Sequence, residues 1–137
     1  TAIARFLARY TSKIAPAALH FEKARMLGFA DVSPRWKEFS YEICLDATMA
    51  MASAEGYYPA WDGMLMKRFD SFIPATLPVT IIFGDTDRTL PATTCQERSV
   101  APSHAKWIFF SETGHAPMWD SPLDVVDEIK KTTALAS

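Results

Sequence analysis

Charge of one sign, cysteine and long apolar runs are all scarce in this sequence, and each scarcity excludes a class of function. Lys+Arg number 14 against 16 Asp+Glu, a formal charge of −2. That leaves no basic footprint for nucleic acid and none for an anionic membrane surface. Two cysteines, Cys44 and Cys95, supply neither a disulfide framework nor a metal-ligand spacing. They suit a reducing compartment, and with no signal sequence in view a cytoplasmic location is expected. No apolar run approaches the length of a bilayer span. What is abundant is apolar surface: 49% of the 137 residues are hydrophobic, which excludes a disordered chain. The length is that of about one domain, and the sequence starts at Thr1 directly inside a helical pattern.

Two halves differ in periodicity. Over residues 1–72 the pattern is helical. Ile3, Phe6, Leu7, Tyr10 and Ile14 recur at spacings of three and four, which predicts a first amphipathic helix. Pro16 interrupts it, and a second helix is expected over Pro16–Leu27, capped by Gly28. Ser33-Pro34 reads as an N-cap and first helical residue, opening a third helix with Trp36, Phe39, Ile43, Ala47, Ala50 and Ala54 on one face, ended by Gly56. Tyr57-Tyr58-Pro59 starts a fourth, holding Trp61, Met64, Leu65 and Phe69. The many aromatics and methionines are expected as packing between helices, or in part as the lining of an apolar pocket.

Over residues 73–137 strand and helix alternate. Ile73-Pro74-Ala75-Thr76-Leu77-Pro78 is a connection into an apolar strand, Val79–Phe83, ending at Gly84. Pro91 precedes a helix over about Ala92–Val100, Lys106–Phe110 is a second strand, and Ser121-Pro122 opens a last helix with Leu123, Val126 and Ile129. This βαβα order predicts parallel strands and an α/β fold class.

Ligands of parallel α/β sheets bind beyond the carboxyl ends of the strands. The loop after the first strand carries Asp87, and the loop after the second carries His115, 28 residues later. A carboxylate in one loop can take the Nδ1 proton of an imidazole in the next, leaving Nε2 as a general base. Asp85 competes for the acid role and is expected instead as a turn residue paired with Thr86 or Arg88. Asp120 is expected at the start of the last helix, with Trp119 and Met118 packed under it. His20 and His104 are expected as packed or solvated residues and Cys95 as structural.

Gly84-x-x-Asp87-x-x-x-Pro91 after one strand and Gly114-His115-x-Pro117 after the next resemble the acid and histidine loops of the α/β-hydrolase superfamily. The resemblance covers about Leu77 to Leu135. It implies that Asp87 is the triad acid, that His115 is the catalytic base, and that the helical half is a cap (lid) region. It also implies cofactor-independent, metal-free hydrolysis of esters or related carbonyl compounds on a small to medium apolar substrate. The family's nucleophile sits on a G-x-S-x-G elbow, and no such pattern occurs here: Ser53 and Ser111 lack the flanking glycines. The glycine-rich oxyanion segment is missing too. The resulting expectation is the C-terminal part of an α/β-hydrolase fold, inactive alone. It would be completed by an N-terminal half or a partner chain that finishes the sheet and brings the nucleophile. An aspartate nucleophile, as in epoxide hydrolases and haloalkane dehalogenases, and a non-catalytic binding protein on the same fold are the alternatives.

Overall fold

The computed structural model describes residues 2–66 and 71–135. The chain is mixed α and β, mostly helical, with one small parallel sheet. It divides into two compact units, Thr1–Leu27 with Lys37–Phe69, and Gly28–Trp36 with Asp70–Ser137. Gly28–Trp36 clusters with the second unit, apart from the helices that flank it in sequence.

The first unit is built from α1 (Ala2–Thr11), α2 (Ala15–Ala18), most of α3 (Glu22–Phe29), α4 (Tyr41–Ser53) and α5 (Tyr57–Met66). Both α1 and α2 lie against α4. Its buried side chains are Ala15, Leu19, Phe39 and Cys44. Tyr41 ties α4 to α2 by donating its hydroxyl to Pro16 O at 3.0 Å, and its ring stacks on His20 at 4.4 Å. Burial pushes the Cys44 thiol above its ordinary pKa, as suits an inert core cysteine.

Several helix boundaries differ from those expected. The stretch Pro16–Leu27 is broken at Leu19–Phe21, and Gly28 does not cap: it lies inside α3, with no positive φ. Ser33-Pro34 opens no long helix. A 3-10 turn, Trp36–Glu38, follows it, and α4 begins only at Tyr41, where Ser40 Oγ accepts from Ile43 N at 3.2 Å. That N-cap satisfies one of the free amides of the first turn. The fourth helix is where it was expected, with Phe69 outside the described residues. Phe39 is buried as core packing predicts, whereas Phe6, Tyr10, Met49 and Met64 are exposed.

The second unit holds β1 (Thr80–Gly84), α6 (Ala92–Cys95), β2 (Lys106–Phe110), α7 (Pro117–Asp120) and α8 (Pro122–Ala134). The strands pair in parallel from Thr80↔Lys106 to Gly84↔Phe110. The expected crossover helix over Ala92–Val100 is interrupted; after α6 the chain makes only a 3-10 turn, Arg98–Val100, and Cys95 is exposed. Alternation puts Ile81, Phe83, Trp107 and Phe109 on one sheet face. There Phe83 stacks on Trp107 at 6.0 Å, and the Arg98 guanidinium lies 4.9 Å from the Trp107 ring centre. The opposite face carries α8 through polar contacts. Lys106 Nζ donates to Glu128 at 2.8 Å, and the hydroxyls of Thr80 and Thr132 meet at 2.7 Å. Hydrogen bonds from Lys106 and Lys131 hold the Glu128 carboxyl below the usual range. Leu123, Val126 and Ile129 stay exposed, so α8 docks by its polar side. Among the described residues no helix is long and apolar enough to cross a membrane.

Candidate active site

The parallel pairing brings the carboxyl ends of β1 and β2 to one edge, so the loops after Gly84 and Phe110 are neighbours. Their approach is close enough to require glycine. A Cβ on Gly84 would overlap the carbonyl oxygens of Thr113 and Gly114. A Cβ on Gly114 would overlap the carbonyl oxygen of Val32 and lie 3.0 Å from Pro34 Cδ. Both motif glycines therefore serve close packing of backbone on backbone.

Hydrogen bonds then fix one loop on the other. Thr86 N and Thr86 Oγ1 both donate to Thr113 O, at 3.0 and 2.8 Å. Asp85 N donates to Phe110 O at 3.0 Å. Asp85 does not pair with Thr86 or Arg88 as expected. Its carboxylate accepts from Ser111 Oγ at 3.2 Å and Thr113 N at 3.3 Å, because the left-handed turn at Glu112 (φ 53°) folds residues 111–113 back over it.

Asp87 and His115 meet: His115 Nδ1 lies 3.0 Å from Asp87 Oδ2. The other carboxylate oxygen, Oδ1, accepts from the amides of Thr89 and Leu90, each at 2.8 Å. The same carboxylate thus caps its turn with one oxygen and faces the imidazole with the other. The Asp87 side chain is 5% exposed and that of His115 37%. Burial alone would raise the Asp87 pKa. The Leu90 amide, the His115 ring and the Thr89 amide together outweigh it and hold the carboxyl below its ordinary value. An ionised carboxylate can only accept, so Nδ1 carries the proton and the neutral ring presents Nε2 as a lone pair. Nε2 has no hydrogen-bond partner among the described residues. His104 is the opposite case: Nε2 lies 2.9 Å from Leu77 O, a carbonyl, and is therefore its donor.

Depression of the Asp87 pKa has a definite sign in acid. The stabilisation is fully present above the ordinary aspartate value, about 3.9, and is lost as pH falls through the lower folded value. Unfolding free energy measured against pH should therefore drop below about pH 4, and Asp87→Asn should flatten that drop. An unchanged acid slope in the variant would contradict the assignment.

Residues that sequence reasoning did not connect to the site also converge on it. Gly28–Trp36 runs along the two loops, and its successive carbonyls accept from both. Thr89 Oγ1 donates to Asp31 O at 3.4 Å and His115 N to Val32 O at 2.7 Å. Asp120 does not cap α8; it ends α7, is 2% exposed, and accepts from Ser33 Oγ and from Gly114 N at 2.7 Å. Trp119 packs edge-on against Phe29 at 6.2 Å.

A cavity of about 290 Å³ opens beside the acid loop, lined by Ala30, Asp31, Ser33, Pro34, Trp36, Thr86 and Arg88. His115 does not line it. Among the described residues no group of three or more His, Cys, Asp and Glu could hold a metal ion. Comparison with protein-family models, with curated proteins and with solved structures found no match.

Proposed function

We infer that Asp87 and His115 are the acid and base of a hydrolase of the α/β-hydrolase kind, acting on esters or related carbonyl compounds. The observation that carries this reading is the Asp87–His115 pair itself. It stands beyond the carboxyl ends of two parallel strands, with one carboxylate oxygen pinned by backbone amides and the other on Nδ1. In such an arrangement Nε2 removes the proton of a nucleophile and returns it to the leaving group, while Asp87 holds the tautomer and stabilises the imidazolium.

The nucleophile comes from outside these 137 residues, by further chain or a partner chain. Two observations favour this. No described serine, threonine or cysteine side chain bonds to Nε2. Among the described residues both strands of the sheet are edge strands, and neither pairs with a third. A serine nucleophile gives the esterase reading. The cavity beside the Asp87 loop has a mixed lining, apolar at Ala30, Pro34 and Trp36 and polar at Asp31, Ser33, Thr86 and Arg88, and its volume suits a small substrate.

Turnover of p-nitrophenyl esters by the full-length polypeptide carrying this sequence tests the proposal. His115→Ala should abolish most of it with the fold intact by circular dichroism. Wild-type turnover in that variant would remove His115 from the mechanism.

A further inference from the structure

Burying a carboxylate is costly unless every lone pair finds a donor, and nothing in a purely apolar packing scheme calls for one at Asp120. Yet its side chain is enclosed, with Oδ1 taking the Ser33 hydroxyl and Oδ2 the Gly114 amide, while its main-chain oxygen takes Arg35 Nη1 at 3.0 Å. Ser33 Oγ in turn accepts from Arg35 N at 2.9 Å, which fixes the turn at residues 33–35. Ser33 and Asp120 are both essentially inaccessible, although 87 residues separate them.

What this cluster fixes is the peptide that leads into His115. The Gly114 amide is bound by Asp120, and the next amide, that of His115 itself, by Val32 O. Val32 is the residue before Ser33, so its carbonyl is held wherever the Ser33–Asp120 bond holds it. Asp31 O, one residue earlier, receives Thr89 Oγ1 two residues beyond Asp87. The strap 31–33 therefore contacts the backbone or side chain of both catalytic loops, and Asp120 is its anchor.

We propose that Asp120, acting with Ser33, is a positioning residue for His115. By clamping the strap and the Gly114 amide together, it sets the direction of the imidazole so that Nδ1 meets Asp87 and Nε2 stays free. The inference rests on the reading of Asp87 and His115 as an acid–base pair. A structural role alone would affect folding; a positioning role also changes which ring nitrogen of His115 carries the proton.

The test is ¹⁵N-histidine NMR of the protein in wild-type, Ser33→Ala and Asp120→Asn forms, at a pH where the rings are neutral. Ser33→Ala removes the hydroxyl but leaves the Asp120–Gly114 bond; Asp120→Asn replaces one of the two acceptor oxygens by a donor. In both, the His115 signals should lose the Nδ1–H form in favour of Nε2–H, while His104 remains Nε2–H as an internal control. The kcat of p-nitrophenyl ester turnover should fall roughly 10- to 100-fold with little change in KM. If Asp120→Asn does not fold, Ser33→Ala decides. A folded variant whose His115 tautomer matches wild type would overturn the positioning role and leave the acid–base pair standing. A wild-type His115 already in the Nε2–H form would instead remove the pair itself.

Discussion

Asp87→Asn is expected to lower kcat/KM by about 10⁴-fold while leaving the fold intact. The asparagine side chain has almost the same shape, and its oxygen can still accept from the amides of Thr89 and Leu90, which now hold Oδ1 at 2.8 Å. Its amide nitrogen then faces His115 Nδ1, which is 3.0 Å from Oδ2 in the native protein. Two donors cannot share that contact, so Nδ1 must become the acceptor and Nε2 takes the proton. The base is then occupied on the side where a nucleophile would approach. Steady-state kinetics on a p-nitrophenyl ester, alongside a thermal melt, separates this from unfolding. Turnover within a few-fold of wild type would show that Asp87 serves its turn and not the imidazole.

The second large effect is on stability. Gly84→Ala should destabilise the unit that carries the site by roughly 3 kcal/mol, the upper end of the usual cost of overpacking, because the new methyl group has no room. Its Cβ would overlap the carbonyl oxygens of Thr113 and Gly114. Those atoms cannot swing aside like a side chain. Thr113 O is held by both donors of Thr86, and residue 114 by Asp120. The same substitution at Gly63, in the interior of α5 with nothing within 4 Å of the new Cβ, is the matched control. There alanine should be neutral or stabilising by about 0.5–1 kcal/mol, through helix propensity. Denaturant unfolding followed by circular dichroism measures both. A Gly84→Ala protein as stable as wild type would mean that the two loops do not pack as described.

The acid and histidine loops were legible in the sequence because their information is local. A β-branched run, a glycine, an acid and a proline lie within a dozen residues, and the parallel pairing follows from the strand–helix–strand order. Asp87 and His115 therefore meet as their spacing predicts. The strap was not legible, since Ser33-Pro34 carries the same signature whether it caps a helix or makes a tight side-chain turn. What decides between them is Asp120, 87 residues away, whose carboxylate takes the Ser33 hydroxyl. Asp120-Ser121-Pro122 likewise reads as a helix start until its tertiary partners are known. The helical half misleads in a related way. Gly28 sits within α3 rather than ending it, and Met49 and Met64 are exposed although the methionines of this half were expected as packing between helices or as pocket lining. Periodicity reports that a helix has an apolar face; it does not report what covers that face.

In the proposed mechanism Asp87 and His115 work as one unit, with the carboxylate acting only through the imidazole. Groups that act as a unit are not additive: once the base is gone, its orienting partner has nothing left to orient. The deciding measurement is kcat/KM of the double variant Asp87→Asn/His115→Ala beside the two single variants in the same full-length polypeptide. The double variant is expected to be no slower than His115→Ala alone. A loss equal to the product of the two single losses would show that Asp87 and His115 act independently, and would contradict it.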